Sequence, residues 1–194
     1  MRQPLEMKSQ EIADAELIAR LCQRDAEALA AIYDRYAHAA YGLVLRITHD
    51  HGVTEDLLQE LFIRLWNRAG EFNASRGALG VWILSIARNL AIDHVRSAQA
   101  RFTQRLAPVE HLDHYRAPST EAGQESVIDR ARAVRSALSS LSAQEKQVLE
   151  LAYFEGCSHT EIATRLGAPL GTVKSWTRAA LGRLREAAKK GGRQ

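Results

Sequence analysis

The side chains best suited to gripping a polyanion gather near the end of the chain: Thr172, Lys174, Ser175, Trp176, Arg178 and Arg185. They lie in residues 170–194, which hold 7 basic residues and a single acid, Glu186. Hydroxyls, an ammonium, guanidiniums and a planar indole are the groups that meet phosphates and base edges. A second set, Arg88, Asn89 and Arg96, falls in residues 61–105, with 7 basic residues against 2 acidic ones. A third is opposite in character: Asp56, Gln59 and Glu60 stand three and four apart, so on a helix their carboxylates and amide form one ridge for a basic partner. Net charge is only +3, because residues 1–60 carry 6 basic against 11 acidic side chains and residues 106–169 carry 6 against 9. Two basic blocks, each beside an acidic one, predict two surfaces for a polyanion and at least one for something else.

Catalytic chemistry is not expected. His49 and His51, and again His111 and His114, are spaced as a metal pair would be, but both pairs fall in loop sequence without nearby cysteine ligands, so no metal is expected. Cys22 and Cys157 are far apart and form no CxxC spacing, which predicts reduced thiols; Cys157 is either a redox-sensitive group in a turn or a small apolar residue. No phosphate-cradling loop is present, so neither nucleotide hydrolysis nor a cofactor is expected. The longest apolar runs, such as Val81-Trp82-Ile83-Leu84, fall far short of the ~20 residues that cross a bilayer. Met1 to Ile12 carries Arg2, Glu6, Lys8 and Glu11 and no apolar centre, so it does not read as a secretory signal. A cytoplasmic protein without membrane insertion is the expectation.

These groups need rigid helices to hold them, and the spacing of apolar residues supplies helices throughout. Leu29, Ile32, Tyr33, Tyr36, Ala40, Leu43, Val44 and Ile47 fall three and four apart on one long helix that ends near His49-Asp50-His51-Gly52. A second helix, from about Thr54 to Arg68, turns Leu57, Leu58, Leu61, Phe62, Leu65 and Trp66 inward, with Thr54 or Asp50 as its cap. A glycine-rich loop leads to a third, from about Leu79 to Ser97, and a shorter helix around Asp14 to Arg24 packs on the three. Trp82 lies on an apolar stripe, which favours an inward place over a stacking role. Beyond Arg101 the period is lost and Pro108, Pro118 and Gly123 mark a linker. Further on, Ser142 with Glu145 and Ser158 with Glu161 have capping-box spacing, Gly167 ends a short helix, and a last helix opens at Leu170. Helix, tight turn, helix at that place is a helix-turn-helix layout, with the donors of the last helix on its exposed side. The fold class expected is all-α: two small helical domains joined by a flexible linker.

Gly156-Cys157-Ser158-His159-Thr160-Glu161-Ile162-Ala163, then Gly167 and Pro169-Leu170-Gly171-Thr172-Val173-Lys174-Ser175, resembles region 4 of bacterial extracytoplasmic-function (ECF) sigma factors. Trp176 stands where that family commonly continues with an arginine. Glu55 to Phe62 is similar to the family's polymerase-docking helix, and Trp82 to Arg96 to its signature in the helix that reads the minus-ten element. The resemblance implies an extension (1–13), a region 2 domain (14–100), a linker (101–125), a region 4 domain (126–188) and a basic tail (189–194). It implies core RNA polymerase as partner, held through Asp56, Gln59 and Glu60 on the clamp helices of the beta-prime subunit. Promoter DNA would be read at minus ten by Asn73, Arg76, Arg88, Asn89 and Arg96, and at minus thirty-five by Thr172, Lys174, Ser175, Trp176, Arg178 and Arg185. An anti-sigma factor is a further implied partner. A one-component helix-turn-helix regulator would share the last helices, but it leaves the acidic ridge and the Arg88-Asn89 pair without a role.

Overall fold

A computed structural model describes residues 13–103 and 135–190; residues 1–12 of the expected extension, 104–125 of the linker, 126–134 of the region 4 domain and 191–194 of the tail lie outside the described residues. Four helices form the first half: α1 (Asp14–Cys22), α2 (Ala26–Thr48), α3 (His51–Arg68) and α4 (Leu79–Thr103). In the second half residues 135–140 are helical, and three longer helices follow: α5 (Ala143–Tyr153), α6 (His159–Leu166) and α7 (Leu170–Lys190), with no strand among the described residues.

Side-chain caps set where these helices begin. The Asp25 carboxylate accepts from the Glu27 and Ala28 amides at 2.9 and 3.4 Å and starts α2. Asp50 starts α3 by accepting from the Val53 amide at 3.0 Å, so α3 opens three residues earlier than Thr54. Thr54 is instead buried, its hydroxyl donating to the Asp50 carbonyl at 2.6 Å. The loop after α3 is two 3-10 turns, Ala69–Glu71 and Ala74–Arg76, and α4 runs to Thr103, past the end expected near Ser97.

The apolar stripes of α1 to α4 close on one core that includes Leu17, Leu21, Ile32, Leu61, Leu65 and Ile83. Asp14, at the start of α1, accepts from Arg35 at 2.5 Å and from the Tyr36 hydroxyl at 2.6 Å, which fixes α1 against α2. The Tyr36 ring lies over Gly80, where an added Cβ would meet its Cε1 at 2.7 Å, so α2 and α4 touch at the start of α4.

Both capping boxes form in the second half. Ser142 with Glu145 opens α5, Ser158 with Glu161 opens α6, and Gly167 ends α6 at φ +61. Val148, Leu151, Ile162 and Val173 make a second, smaller core. Glu145 is buried beneath α7, taking the Ser142 amide at 2.8 Å and Arg183 at 2.6 Å. The two halves meet where Phe154 packs on the first core and Gly156 rests on Ile92; a Cβ at Gly156 would lie 2.6 Å from Ile92 Cγ2.

Candidate functional site

Asp56 and Gln59 stand exposed on α3, opposite the buried Leu57, Leu58 and Leu61. Glu60, on the same ridge, accepts from Arg64 Nε at 2.9 Å, so the ridge presents one tethered carboxylate and one without a partner among the described residues. Ile63, one turn further along, is 60% exposed. It falls out of register with the inward positions 57, 58, 61, 62 and 65, and that mismatch is the sequence signal that places an isoleucine on the outer face.

Asn73, Arg76, Arg88 and Asn89 line one open cleft of about 420 Å3 between the 3-10 turns and α4. One wall is aromatic: the Phe72 and Trp82 rings lie 5.5 Å apart, and Trp82 is half-buried against the core with its remaining surface on the cleft. Asn73 Oδ1 accepts from the Ser75 amide at 2.9 Å and the Ser75 hydroxyl at 2.7 Å, which holds the turn and leaves the Asn73 amide nitrogen outward. Arg76 and Asn89 are exposed. A π-face, an amide and cationic donors around a cleft open to solvent are what an unstacked base and its phosphates require.

Arg88 departs from the exposed basic face expected of it. It is 9% exposed and donates from Nε to the Tyr153 carbonyl at 2.6 Å and from Nη2 to the Ala152 carbonyl at 2.7 Å, both at the end of α5. Arg96, half-buried, donates to the Gly156 carbonyl and lies 3.8 Å from Glu161. The last carbonyls of a helix have no intrahelical donor and carry its negative end, so they attract guanidinium groups.

On α7, Lys174, Ser175, Arg178 and Arg185 are exposed and Thr172 is half-buried. The Ser175 hydroxyl donates back to the Thr172 carbonyl at 2.8 Å. Trp176, expected among the outward groups, packs against the second core, because it falls one turn from the buried Val173 and Ala180. His49 ends α2 in left-handed geometry at φ 56, and His51 Nδ1 lies 2.8 Å from the Tyr41 hydroxyl. His111 and His114 lie outside the described residues. Burial, and then the carboxylates of Glu155 and Glu161, push the Cys157 thiol up, away from the reactive thiolate.

The Sigma-70 region 2 family matches residues 32–101 and the Sigma-70 region 4 family matches residues 131–184. The ECF RNA polymerase sigma factor SigK of Mycolicibacterium vanbaalenii is 34% identical over 176 residues, covering 88% of this chain and 86% of that protein. The chain belongs to the ECF RNA polymerase sigma factors. SigK of Mycobacterium tuberculosis is 34% identical to it over 175 residues, covering 87% and 90% of the two chains. Among solved structures, Rhodobacter sphaeroides SigE in complex with the anti-sigma ChrR is 29% identical, over 92% of this chain and 99% of that one, with a TM-score of 0.49. In this sigma factor the region 2 match takes in α3, the cleft and most of α4, and the region 4 match takes in α5, α6 and most of α7. Among the described residues no helix is long and apolar enough to cross a membrane.

Proposed function

We propose that this sigma factor docks on core RNA polymerase through the α3 ridge and reads promoter DNA at two places. Asp56, Gln59 and Glu60 meet basic groups of the clamp helices of the beta-prime subunit, with the exposed Ile63 adding apolar contact on the same ridge. The cleft of Asn73, Arg76, Arg88 and Asn89, extended by Arg96, takes unstacked bases of the minus-ten element. The face of α7 carrying Thr172, Lys174, Ser175, Arg178 and Arg185 enters the major groove at minus thirty-five, while Trp176 serves the core beneath it.

Residues 14–100 form the region 2 domain in this proposal and 126–188 the region 4 domain, tethered by the intervening linker. Two weak readers held by one polymerase bind far more tightly than either alone, which selects promoters by spacing as well as sequence. The chain contributes binding and no bond-making step, with the energy of base capture offsetting the cost of unstacking. An anti-sigma factor that covers these surfaces belongs to the same proposal, and the cytoplasm is where polymerase is found.

The observation that carries the reading is the convergence of Asn73, Arg76, Arg88 and Asn89, drawn from two segments, on one aromatic-walled cleft. The test is transcription from promoter DNA by core polymerase with and without the protein, alongside duplex binding by the protein alone. Promoter-specific transcripts that need the protein and are lost in the Asp56→Ala/Gln59→Ala variant are the expected result. Tight duplex binding with no gain in initiation would overturn it in favour of a stand-alone regulator.

A further inference from the structure

A carboxylate stands on the lip of the cleft that is to receive DNA. Glu71 is exposed and lines that cleft together with Asn73, Arg76 and Asn89. A negative charge in such a place repels phosphates and competes with them for the cations beside it. The carboxylate is engaged, however, by a residue outside the cleft lining: Arg68 donates from Nε to Oε1 and from Nη2 to Oε2, both at 2.7 Å, in a forked bidentate pair. The hydrogen bond from Arg68 holds the Glu71 carboxyl below its ordinary range, against the opposing effect of burial, and the Arg68 charge adds to this. Glu71 is therefore ionised at neutral pH.

The turn that carries Glu71 keeps its shape by other means. The Phe72 amide donates to the Ala69 carbonyl at 3.1 Å, Ala69 is buried, and the Phe72 ring rests against Trp82. Just before the turn, Arg24 donates from Nη1 to the Trp66 carbonyl at 2.7 Å and to Asn67 Oδ1 at 3.4 Å, which fixes the end of α3. Asn73 builds the following turn with Ser75. The side chains of Arg68 and Glu71 are each 56% exposed, and a pair so open to water adds about 1 kcal/mol at most to stability. The fold gains little from the pair, and what the pair changes is the charge that faces the cleft.

We propose that Arg68 guards the minus-ten cleft: it turns the Glu71 carboxylate aside and cancels its charge, so that the donors of Asn73 and Arg76 stay available to an unstacked base and its phosphates. The inference rests on the minus-ten role proposed above for this cleft. Arg68 acts through Glu71, which makes it a positioning residue. Its loss does more harm than the loss of its partner. Without Arg68 an unpaired carboxylate shares the cleft with Arg76 and meets the incoming strand, whereas without Glu71 no negative charge is left on the lip. A plain structural ion pair behaves otherwise, since breaking it from either side costs the same.

The experiment uses holoenzyme assembled from core RNA polymerase and the full chain, on a promoter duplex that the parent holoenzyme selects from a randomised library. Permanganate reactivity of unpaired thymines reads promoter opening, and thermal melting of the free chain checks that the variants keep the fold. Arg68→Ala should lower opening about tenfold, while Glu71→Ala and the double variant Arg68→Ala/Glu71→Ala should stay within about twofold of the parent. The defect of Arg68→Ala relative to the parent should shrink as salt is raised, because salt screens a bare carboxylate. Two single variants that fall alike, with a double variant no better, would overturn the guard in favour of a plain brace. An Arg68→Ala holoenzyme that opens like the parent would overturn it outright. Asn73→Ala/Arg76→Ala separates the two levels: lost opening there beside normal opening with Arg68→Ala overturns the guard alone. Normal opening with that variant, or no opening by the parent on any duplex, would overturn the minus-ten reading and the guard with it.

Discussion

Glu145 shows how one side chain serves two helices. Its carboxyl is held below the usual carboxylate range first by the Ser142 backbone amide, against the opposing effect of burial, and further by the Ser142 side chain and Arg183. A folded carboxyl that releases its proton more readily than the unfolded one adds stability above the ordinary carboxylate range and loses it as pH falls through and below that range. Glu145→Gln should therefore flatten the acid side of the stability profile, between about pH 5 and pH 3, as followed by urea unfolding at a series of pH values. Cysteine reactivity makes a second prediction at this scale. Cys22 is exposed, whereas Cys157 is half-buried with its thiol pushed up, so a thiol reagent at neutral pH should modify Cys22 first. Equal rates in a mass-spectrometric time course would count against this.

Among the elements, caps and close approaches decide where helices start and how they cross. Ser158 accepts from the Glu161 amide at 3.2 Å while the Glu161 carboxylate takes the Ser158 amide at 2.6 Å, on a helix of only 8 residues. Ser158→Ala should cost about 1 kcal/mol, read by thermal melting, and should weaken duplex binding by shifting α6 beneath α7. Gly80 runs against the usual rule for helices, in which alanine in place of glycine gains up to about 1 kcal/mol. Here the new Cβ would meet a Tyr36 ring pinned by Asp14, so Gly80→Ala should destabilise by about 1–3 kcal/mol instead. A raised melting temperature for this variant would show that the ring yields.

For the whole molecule, two separate cores joined by a narrow contact predict two unfolding steps. Calorimetry should resolve a transition for the smaller, C-terminal core, and Leu61→Ala, at a cost of about 2–5 kcal/mol, should shift only the other. A single transition moved as a whole would mean that the halves unfold as one. Sequence by itself determined the helices, because apolar spacing, Asp25, Ser142, Ser158 and Gly167 act over three or four neighbours. It also determined the exposed α3 ridge, since outward positions follow once Leu57, Leu58 and Leu61 face in. Trp176, three residues after Val173 and four before Ala180, shares their inward face, so its place was legible in the spacing even though an indole also suits contact with a base. The engagement of Arg88 and Arg96 was decided by tertiary structure alone. Their acceptors lie 60 or more residues away along the chain, and no local pattern records which carbonyls a helix end will turn toward a distant guanidinium.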